Sequence, residues 1–310
     1  MKKICMCADD SMKIAITGPT GGIGVEFIRQ AIELNDEVIA IVNPKSARIS
    51  NLPKSENLEI VPCLMSDYES IMGKRDCDMF VHMAWKGAFG SNRDDTYIQC
   101  DNIKHSLDAV RLAESWGAKS FVGTGSQAEY GLTNEALTGN LPVNPLSGYG
   151  IAKYSAGKLC GILCSQFEIK YNWARIVSVF GKYDRSQTLI SYLIDSLTKD
   201  IVPELTACEQ VWDYIYAKDA AHAIRLIGDK GIDGKTYCVG SGHSRVLKDY
   251  VTSLRDIVNP KSELKFGIKD YYPHQPMHLA VDISELNVDT GFRPGYSFED
   301  GIREMMHMGV

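Results

Sequence analysis

The sequence predicts an α/β fold, with a doubly wound parallel sheet and a smaller C-terminal substrate-binding lobe. Three observations predict it. Short segments rich in β-branched residues alternate with longer segments of helical period, as in βαβ units. A glycine-rich turn follows the first of these segments directly. The alternation loosens after Gly181, which marks the start of the lobe.

The individual elements follow from this alternation. Strands are predicted at residues 13–17, 37–42, 59–62, 79–83, 120–123 and 173–179, with helices at 23–34, 68–72, 97–116 and 149–167. The lobe should contain a helix near 188–199, a strand near 212–216, a helix ending near 226 and a strand near 236–239. We therefore expect a flexible tail at 1–11 and a dinucleotide-binding domain at 12–180. Residues 181–310 should form mainly the lobe, with about 212–240 returning to the main sheet.

Composition excludes several classes of protein. The 310 residues are 45% apolar and 23% charged, which is ordinary for a globular chain and argues against a disordered or fibrous one. No run approaches the roughly 18 apolar residues of a membrane helix. Scattered basic residues and a net charge of -6 argue against a nucleic-acid surface. Nine cysteines without a CxxC pair or a Cys/His cluster predict reduced thiols in a cytoplasmic protein that binds no metal. The expected partner is a small molecule.

The glycine-rich turn has the features of a Rossmann-type phosphate-binding site. The first predicted strand runs into Thr17-Gly18-Pro19-Thr20-Gly21-Gly22-Ile23-Gly24, and a helix follows. Glycines at 18, 21 and 24 allow a tight turn and a close approach of the backbone to a pyrophosphate, and the first N–H groups of the helix attract the anion. We assign to cofactor binding Gly18, Thr20, Gly21, Gly22, Ile23 and Gly24.

The GxxGxxG spacing resembles the turn of the short-chain dehydrogenase/reductases, especially their extended branch of nucleotide-sugar epimerases, dehydratases and reductases. Further matches follow in order over nearly the whole chain: FVHMA at 80–84, Asn102, GSQAEYG at 125–131, YGIAK at 149–153, VFG at 179–181, WDYIY at 212–216, VGSG at 239–242, DIS at 282–284 and GFRP at 291–294. The resemblance implies hydride chemistry on a nucleoside-diphosphate sugar with a bound nicotinamide.

A Tyr-x-x-x-Lys pair is the candidate proton-transfer machinery. Three such pairs occur, at 149/153, 154/158 and 214/218, and position favours the first, which opens a helix and follows Ser126 by 23 residues. Carbonyl/alcohol interconversion needs a proton donor or acceptor at the oxygen. A tyrosine pKa near 10 is too high for a good base, and a lysine one helical turn away should lower it. Tyr149 and Lys153 are therefore the predicted pair.

The resemblance assigns the remaining roles. Lys153 would also bind the nicotinamide ribose, Ser126 would hydrogen-bond the reacting oxygen, and Asn102 would support the catalytic site. Further cofactor contacts are expected from Met65, Met83 and Ala84. Substrate contacts are expected from Lys86, Gly87, Ser126, Gln127, Tyr149, Ser178 and Trp212.

Two residues after Ser126 disfavour one branch of the family. Sugar dehydratases carry an Asp-Glu pair there to move a second proton, but this chain has Gln127 and Ala128. Glu129 comes one position later and, on a strand-like segment, should point to the opposite side. The resemblance therefore favours a reductase or an epimerase.

The residues after the second strand indicate the cofactor. A carboxylate at the end of this strand normally binds the adenosine ribose of NAD and repels a 2′-phosphate, but here the position is Asn43. Lys45, Ser46 and Arg48 follow. We expect Asn43, Lys45 and Arg48 to bind NADP, with NAD as the alternative.

The predicted substrate site lacks two arginines that often hold the diphosphate in epimerases of this branch. Trp212 stands at the first position, and the second falls among residues 271–274. Lys182, Arg185 or Arg245 could replace them.

The favoured function is reduction of a 4-keto group on a nucleotide-linked deoxysugar. The alternatives are NAD-dependent 4-epimerisation of a nucleotide sugar and an NADP-binding regulator without turnover. Surplus small and apolar residues on helices 97–116 and 149–167 predict a homodimer.

Overall fold

The computed structural model describes residues 11–184, 188–272 and 275–307. Its strands, in chain order, are β1 (Lys13–Thr17), β2 (Glu37–Val42), β3 (Leu58–Pro62), β4 (Met79–His82), β5 (Ser120–Ser126), β6 (Lys170–Ile176), β7 (Ser178–Phe180), β8 (Val211–Trp212), β9 (Tyr214–Tyr216), β10 (Thr236–Val239) and β11 (Arg245–Val246). Its helices are α1 (Gly22–Glu33), α2 (Thr96–Ser115), α3 (Gly148–Gln166), α4 (Leu189–Thr198), α5 (Ala217–Lys230), α6 (Leu247–Val258), α7 (Ser284–Thr290) and α8 (Phe298–His307). The predicted tail, 1–11, falls outside this description except for Ser11.

Seven parallel strands form the main sheet, in the order β10-β6-β5-β4-β1-β2-β3. Helices α1 and α5 cover one face of it and α2 and α3 cover the other, each over its own apolar core. Strands β4 and β5 are buried along their whole length, as expected for a parallel sheet with helices on both faces. The predicted fold class is confirmed.

A third apolar core holds the lobe together. It is aromatic, with Phe180, Tyr216, Tyr250 and Phe298 packed around the inner faces of α4, α6 and α8. Phe180 lies 5.0 Å from Phe298, measured between ring centroids. The lobe is therefore fastened to the end of β7 by ring packing.

The structure differs from the predicted elements in three places. Strand β5 extends to Ser126 because its last three residues pair with β6. The helix predicted at 68–72 is a 3₁₀ helix, Met65–Ile71. The strand predicted at 173–179 divides at Val177, which bonds to Val239 of β10 before the chain leaves the main sheet as β7.

The expected return of 212–240 to the main sheet is wrong for its first part. Strand β8 pairs with β11, and β9 pairs with β7, so both lie in two-stranded sheets. Strand β7 has already left the main sheet, and β9 pairs with β7, so β9 lies outside the main sheet as well. Only β10 returns, at the edge beside β6. Helix α5 leads to it, and Arg225 of α5 forms a buried ion pair with Asp36, just before β2 (Nε–Oδ2 3.0 Å).

Two searches of the described residues gave negative results. None of the helices is long and apolar enough to cross a membrane. In the same part of the chain, no group of three or more His, Cys, Asp or Glu side chains could hold a metal ion.

Candidate active site

A cavity of about 1320 Å³ opens at the carboxyl ends of the main-sheet strands. The sequential strand order reverses there, between β1 and β4, and ligands of doubly wound sheets bind at such a switch point. The wall on one side is the glycine-rich turn, and the other side is formed by β5, α3 and the lobe. The cavity therefore joins the predicted cofactor residues to the predicted substrate residues.

The glycine-rich turn has the shape that a pyrophosphate needs. Gly18 has a φ of +70°, and a Cβ there would lie 2.8 Å from the backbone nitrogen of Ala84. A Cβ on Gly24 would lie 2.6 Å from the carbonyl oxygen of Gly18. Gly21 caps α1 without a side-chain hydrogen bond, which leaves the first N–H groups of the helix available to an anion. All six predicted turn residues line the cavity.

Thr17 and His82 support this turn from below. The Thr17 hydroxyl oxygen accepts hydrogen bonds from the N–H groups of Met83 (3.1 Å) and Ala84 (3.2 Å), and it lies 2.8 Å from His82 Nδ1. Burial lowers the pKa of His82 to about 3, so the imidazole is neutral at physiological pH. Met65, Met83 and Ala84, from which further cofactor contacts were expected, all line the cavity.

The loop after β2 brings two of its three predicted cofactor residues to the cavity. Asn43 and Arg48 line it, together with Ser46, whose hydroxyl lies 3.1 Å from that of Thr20. Lys45 is exposed and lies outside the lining. The Asn43 side chain accepts the Lys45 N–H (2.9 Å) and closes the turn. The turn places Lys45 on the solvent side, and its contact with the cofactor stays a prediction.

Ser126, Tyr149 and Lys153 all line the cavity. Their exposed fractions are 8%, 9% and 4%. Ser126 ends β5, where its hydroxyl accepts from Ala128 N–H (3.2 Å) and donates to Gln127 Oε1 (2.7 Å). Tyr149 lies in the first turn of α3, which Ser147 caps by accepting from Gly150 N–H (3.1 Å). Lys153 lies one turn later, so the sequence spacing does bring the three together.

The pKa values of Lys153 and Tyr149 differ from those that the sequence predicted. Burial lowers the pKa of Lys153 to about 7, and its Nζ donates to the carbonyl oxygen of Thr124 (2.7 Å) and lies 3.9 Å from the centre of the Trp85 ring. Burial also raises the pKa of Tyr149, against the lowering effects of Ser126 and Arg93. The expected depression of the Tyr149 pKa by Lys153 is therefore not found: the groups that lower this pKa are Ser126 and Arg93, and desolvation outweighs both.

Asn102, which was predicted to support the catalytic site, does not itself line the cavity. It is buried on α2, where its Nδ2 donates to the Lys86 carbonyl (2.8 Å) and its Oδ1 accepts from the Lys86 N–H (2.9 Å). Both hydrogen bonds hold the loop after β4. Asn102 therefore positions Lys86 and Gly87, which do line the cavity.

The substrate end of the cavity is aromatic. Trp212 donates from Nε1 to the Ser178 hydroxyl (2.8 Å), and both residues line the cavity with Gln127. Arg245 pairs instead with Glu299 (2.9 Å), and neither it nor Lys182 belongs to the lining. Arg185, Pro273 and His274 fall outside the described residues. Among the residues that are described from 188 onward, no cation lines the cavity.

Several lining residues were missed by the sequence analysis: Ser46, Trp85, Arg93, Tyr183 and Tyr214. Trp85 directly follows the FVHMA motif, so its place after a strand was a usable signal. Arg93 lies in a 3₁₀ turn, Gly90–Arg93, that has no periodic pattern. Tyr214 belongs to a Tyr-x-x-x-Lys pair that was set aside in favour of Tyr149 and Lys153, yet it borders the cavity.

A phosphate-binding turn facing a buried Ser/Tyr/Lys trio across one cavity defines a nicotinamide-dependent enzyme of the extended short-chain dehydrogenase/reductase type. The model of the NAD dependent epimerase/dehydratase family matches residues 14–240, and the chain belongs to that family.

Three similar proteins illustrate the range of this family. YtcB, an uncharacterized UDP-glucose epimerase of Bacillus subtilis, is 24% identical over an alignment of 311 residues that covers 94% of this chain and 96% of that protein. The structure of UDP-N-acetylglucosamine 4-epimerase from Methanobrevibacter ruminantium, in complex with UDP-N-acetylmuramic acid, has a TM-score of 0.86 at 22% identity and covers 96% and 99% of the two chains. The dTDP-glucose 4,6-dehydratase DesIV from Streptomyces venezuelae, with NAD bound, has a TM-score of 0.83 at 19% identity and covers 96% of each chain. These structures share the fold.

Proposed function

We propose that this protein is an NADP-dependent reductase of a 4-keto group on a nucleoside-diphosphate-linked deoxysugar. The observation that carries the cofactor choice is the loop after β2. A neutral Asn43, with Ser46 and Arg48 beside it, lines the cavity where a carboxylate would repel a 2′-phosphate. An exchangeable, phosphorylated cofactor suits a reductase, because a reductase must renew its hydride in every cycle.

The chain's own residues supply the proton. A bound nicotinamide would contribute the hydride. Tyr149 would give a proton to the carbonyl oxygen, and Ser126, which lines the same cavity, would hydrogen-bond that oxygen. Lys153 and the glycine-rich turn would hold the cofactor. Burial of this trio keeps water away from the reacting groups.

Two further features support a sugar nucleotide and argue against its dehydration. The cavity is larger than a single small-molecule site and has room for a dinucleotide and a second ligand. The Asp-Glu pair of the dehydratases is replaced by Gln127 and Ala128. Glu129 cannot substitute for that pair, because its carboxylate is fully buried against Arg175 and Trp173.

The second candidate is NAD-dependent 4-epimerisation of a nucleotide sugar. Two of the similar proteins described above carry epimerase names, and the same trio could serve both directions of hydride transfer. An epimerase oxidises and then reduces one carbon, so it gains from never releasing its cofactor.

Cofactor content and turnover distinguish the candidates. A reductase should purify without nicotinamide, bind NADPH more tightly than NADH, and consume NADPH with a 4-keto nucleotide sugar. Arg48→Ala should narrow the difference in affinity, whereas Lys54→Ala, on an exposed side chain outside the cavity, should not. Tightly bound NAD, with two sugar nucleotides interconverted without added cofactor, would replace the reductase by the epimerase. If the protein binds NADPH but turns over neither type of substrate, the remaining candidate is the NADP-binding regulator without turnover.

A further inference from the structure

Arg93 occupies a position beside the predicted proton donor that the Ser/Tyr/Lys pattern does not explain. Its guanidinium carbon lies over the face of the Tyr149 ring, 4.4 Å from the ring centroid. The Lys153 nitrogen lies further away, 5.9 Å from the same centroid. The nearest cationic group over the phenol is therefore Arg93 and not the lysine of the motif.

The two cations also differ in how permanent their charge is. Burial lowers the pKa of Lys153 to about 7, so this side chain is neutral in a large share of the molecules near physiological pH. An arginine guanidinium stays charged throughout the range in which proteins are stable. Positive charge on the face of an aromatic ring favours electron density in that ring, and most strongly the negative charge of a phenolate.

Hydrogen bonds hold Arg93 and its neighbour Asp94 in place. Its Nη1 donates to the carbonyl oxygen of Ala88 (3.1 Å). The next residue, Asp94, accepts a hydrogen bond from the N–H of Gly148 (2.8 Å), which directly precedes Tyr149. This bond joins the start of α2 to the start of α3. In the described part of the chain, no carboxylate lies within salt-bridge distance of Arg93.

We propose that Arg93 is a positioning residue for proton transfer: its guanidinium holds the Tyr149 ring and stabilises the phenolate that Tyr149 becomes. The inference rests on the proposed function, in which Tyr149 is the proton donor. During reduction the Tyr149 O–H bond breaks, the proton goes to the substrate oxygen, and the electron pair stays on the phenolate oxygen. After the product has left and solvent has re-entered the cavity, an acid from the solvent returns a proton to the phenolate and keeps the electron pair of its own bond.

The groups facing Tyr149 come from four elements. Arg93 lies before α2, Ser126 ends β5, Glu129 follows β5, and Lys153 lies on α3. Ser126 and Arg93 lower the pKa of Tyr149, whereas burial and the negative charge of Glu129 raise it. Removing the Arg93 charge should therefore raise this pKa, because the opposing effects remain.

A fluorinated tyrosine incorporated at position 149 gives a test that needs no substrate. Its fluorine resonance reports the protonation state of this one phenol in the full-length protein. Arg93→Met should raise the apparent pKa by about one unit, the lower end of the effect of an opposite charge within 4–6 Å. Arg93→Lys keeps a positive charge and should bring the Tyr149 pKa much of the way back to its wild-type value. Arg293→Met, at an exposed arginine outside the cavity, should leave this pKa unchanged.

The reaction provides the second measurement. Reduction needs protonated Tyr149, so kcat/KM should fall as the pH rises through its pKa. Arg93→Met should move that descending limb to higher pH by the same one unit. An unchanged fluorine titration and an unchanged pH profile would overturn the role of Arg93, even if the enzyme is an active reductase. A shifted fluorine titration in a protein that turns over no 4-keto sugar would support the role of Arg93 and would count against the proposed function alone.

Discussion

Neutralising Glu129 should destabilise the protein strongly, although this residue does not touch the cavity. Its carboxylate is fully buried and forms an ion pair with Arg175, whose side chain is 5% exposed (Oε2–Nε 2.7 Å). It also accepts from Trp173 Nε1 (3.0 Å) and from the N–H of Ser126 (2.8 Å). In Glu129→Gln the shape is kept, and Arg175 becomes a buried charge whose remaining partners are the Gly139 carbonyl oxygen and the Tyr130 ring.

Breaking one side of a buried ion pair costs about 3 to 5 kcal/mol. At about 2 to 4 °C per kcal/mol, this corresponds to a fall in the midpoint of thermal unfolding of roughly 6 to 20 °C. Circular dichroism during a thermal scan measures it. The double variant Glu129→Gln with Arg175→Met removes both charges and should recover most of the loss. A single variant that costs under about 1 kcal/mol, or a double variant no more stable than the single one, would refute the reasoning.

Four further predictions concern the catalytic tyrosine, the turn, a buried histidine and assembly. Tyr149→Phe should lower kcat by about 10² to 10⁴ and leave NADPH affinity nearly unchanged in a fluorescence titration; turnover within a few-fold of wild type would exclude its role. Gly18→Ala should weaken NADPH binding at least about tenfold by calorimetry, because φ is +70° and a Cβ there meets backbone, whereas Gly267→Ala, at φ +76° in open space, should not. The folded-state pKa of His82, about 3, lies below its ordinary 6.5, so folding stability should fall by about 1.4 kcal/mol per pH unit as the pH drops from about 6.5 towards 3. Urea titrations of His82→Asn should lack this contribution. Equal slopes of unfolding free energy against pH in the wild type and the variant would contradict it. Light scattering should give a dimer mass, and Ile162→Asp, at a position 59% exposed on α3, should give a monomer; a wild-type monomer at micromolar concentration would count against the dimer.

Sequence patterns predicted those parts of the fold that local chemistry determines. Strands β1, β2 and β10 begin and end at the predicted residues, because runs of apolar and β-branched side chains mark both faces of a buried strand. The end of β5, Thr124 to Ser126, was missed, since Gly125 and Ser126 are not typical of strands. They are held there by β6, a partner distant in the sequence.

The same limit applies to the candidate site. Ser126, Tyr149 and Lys153 were predictable from a spacing that one helix and one strand end can satisfy. Arg93 was not, because its loop reaches α3 through tertiary contacts such as the hydrogen bond between Asp94 and Gly148. The pKa of Lys153 was equally out of reach, since it depends on how deeply the folded chain buries that side chain. Tertiary contacts decide both.

The late return of β10 has a consequence for synthesis of the chain. While the ribosome is still making the lobe, one edge of β6 has no partner strand, and Asp36 lacks its ion-pair partner Arg225. Open edges of this kind invite pairing with other chains. The nucleotide-binding half therefore cannot finish folding until much of the lobe has left the exit tunnel. Exchange of whole lobes between relatives should accordingly succeed only when the junctions keep α5 and β10 with the first half.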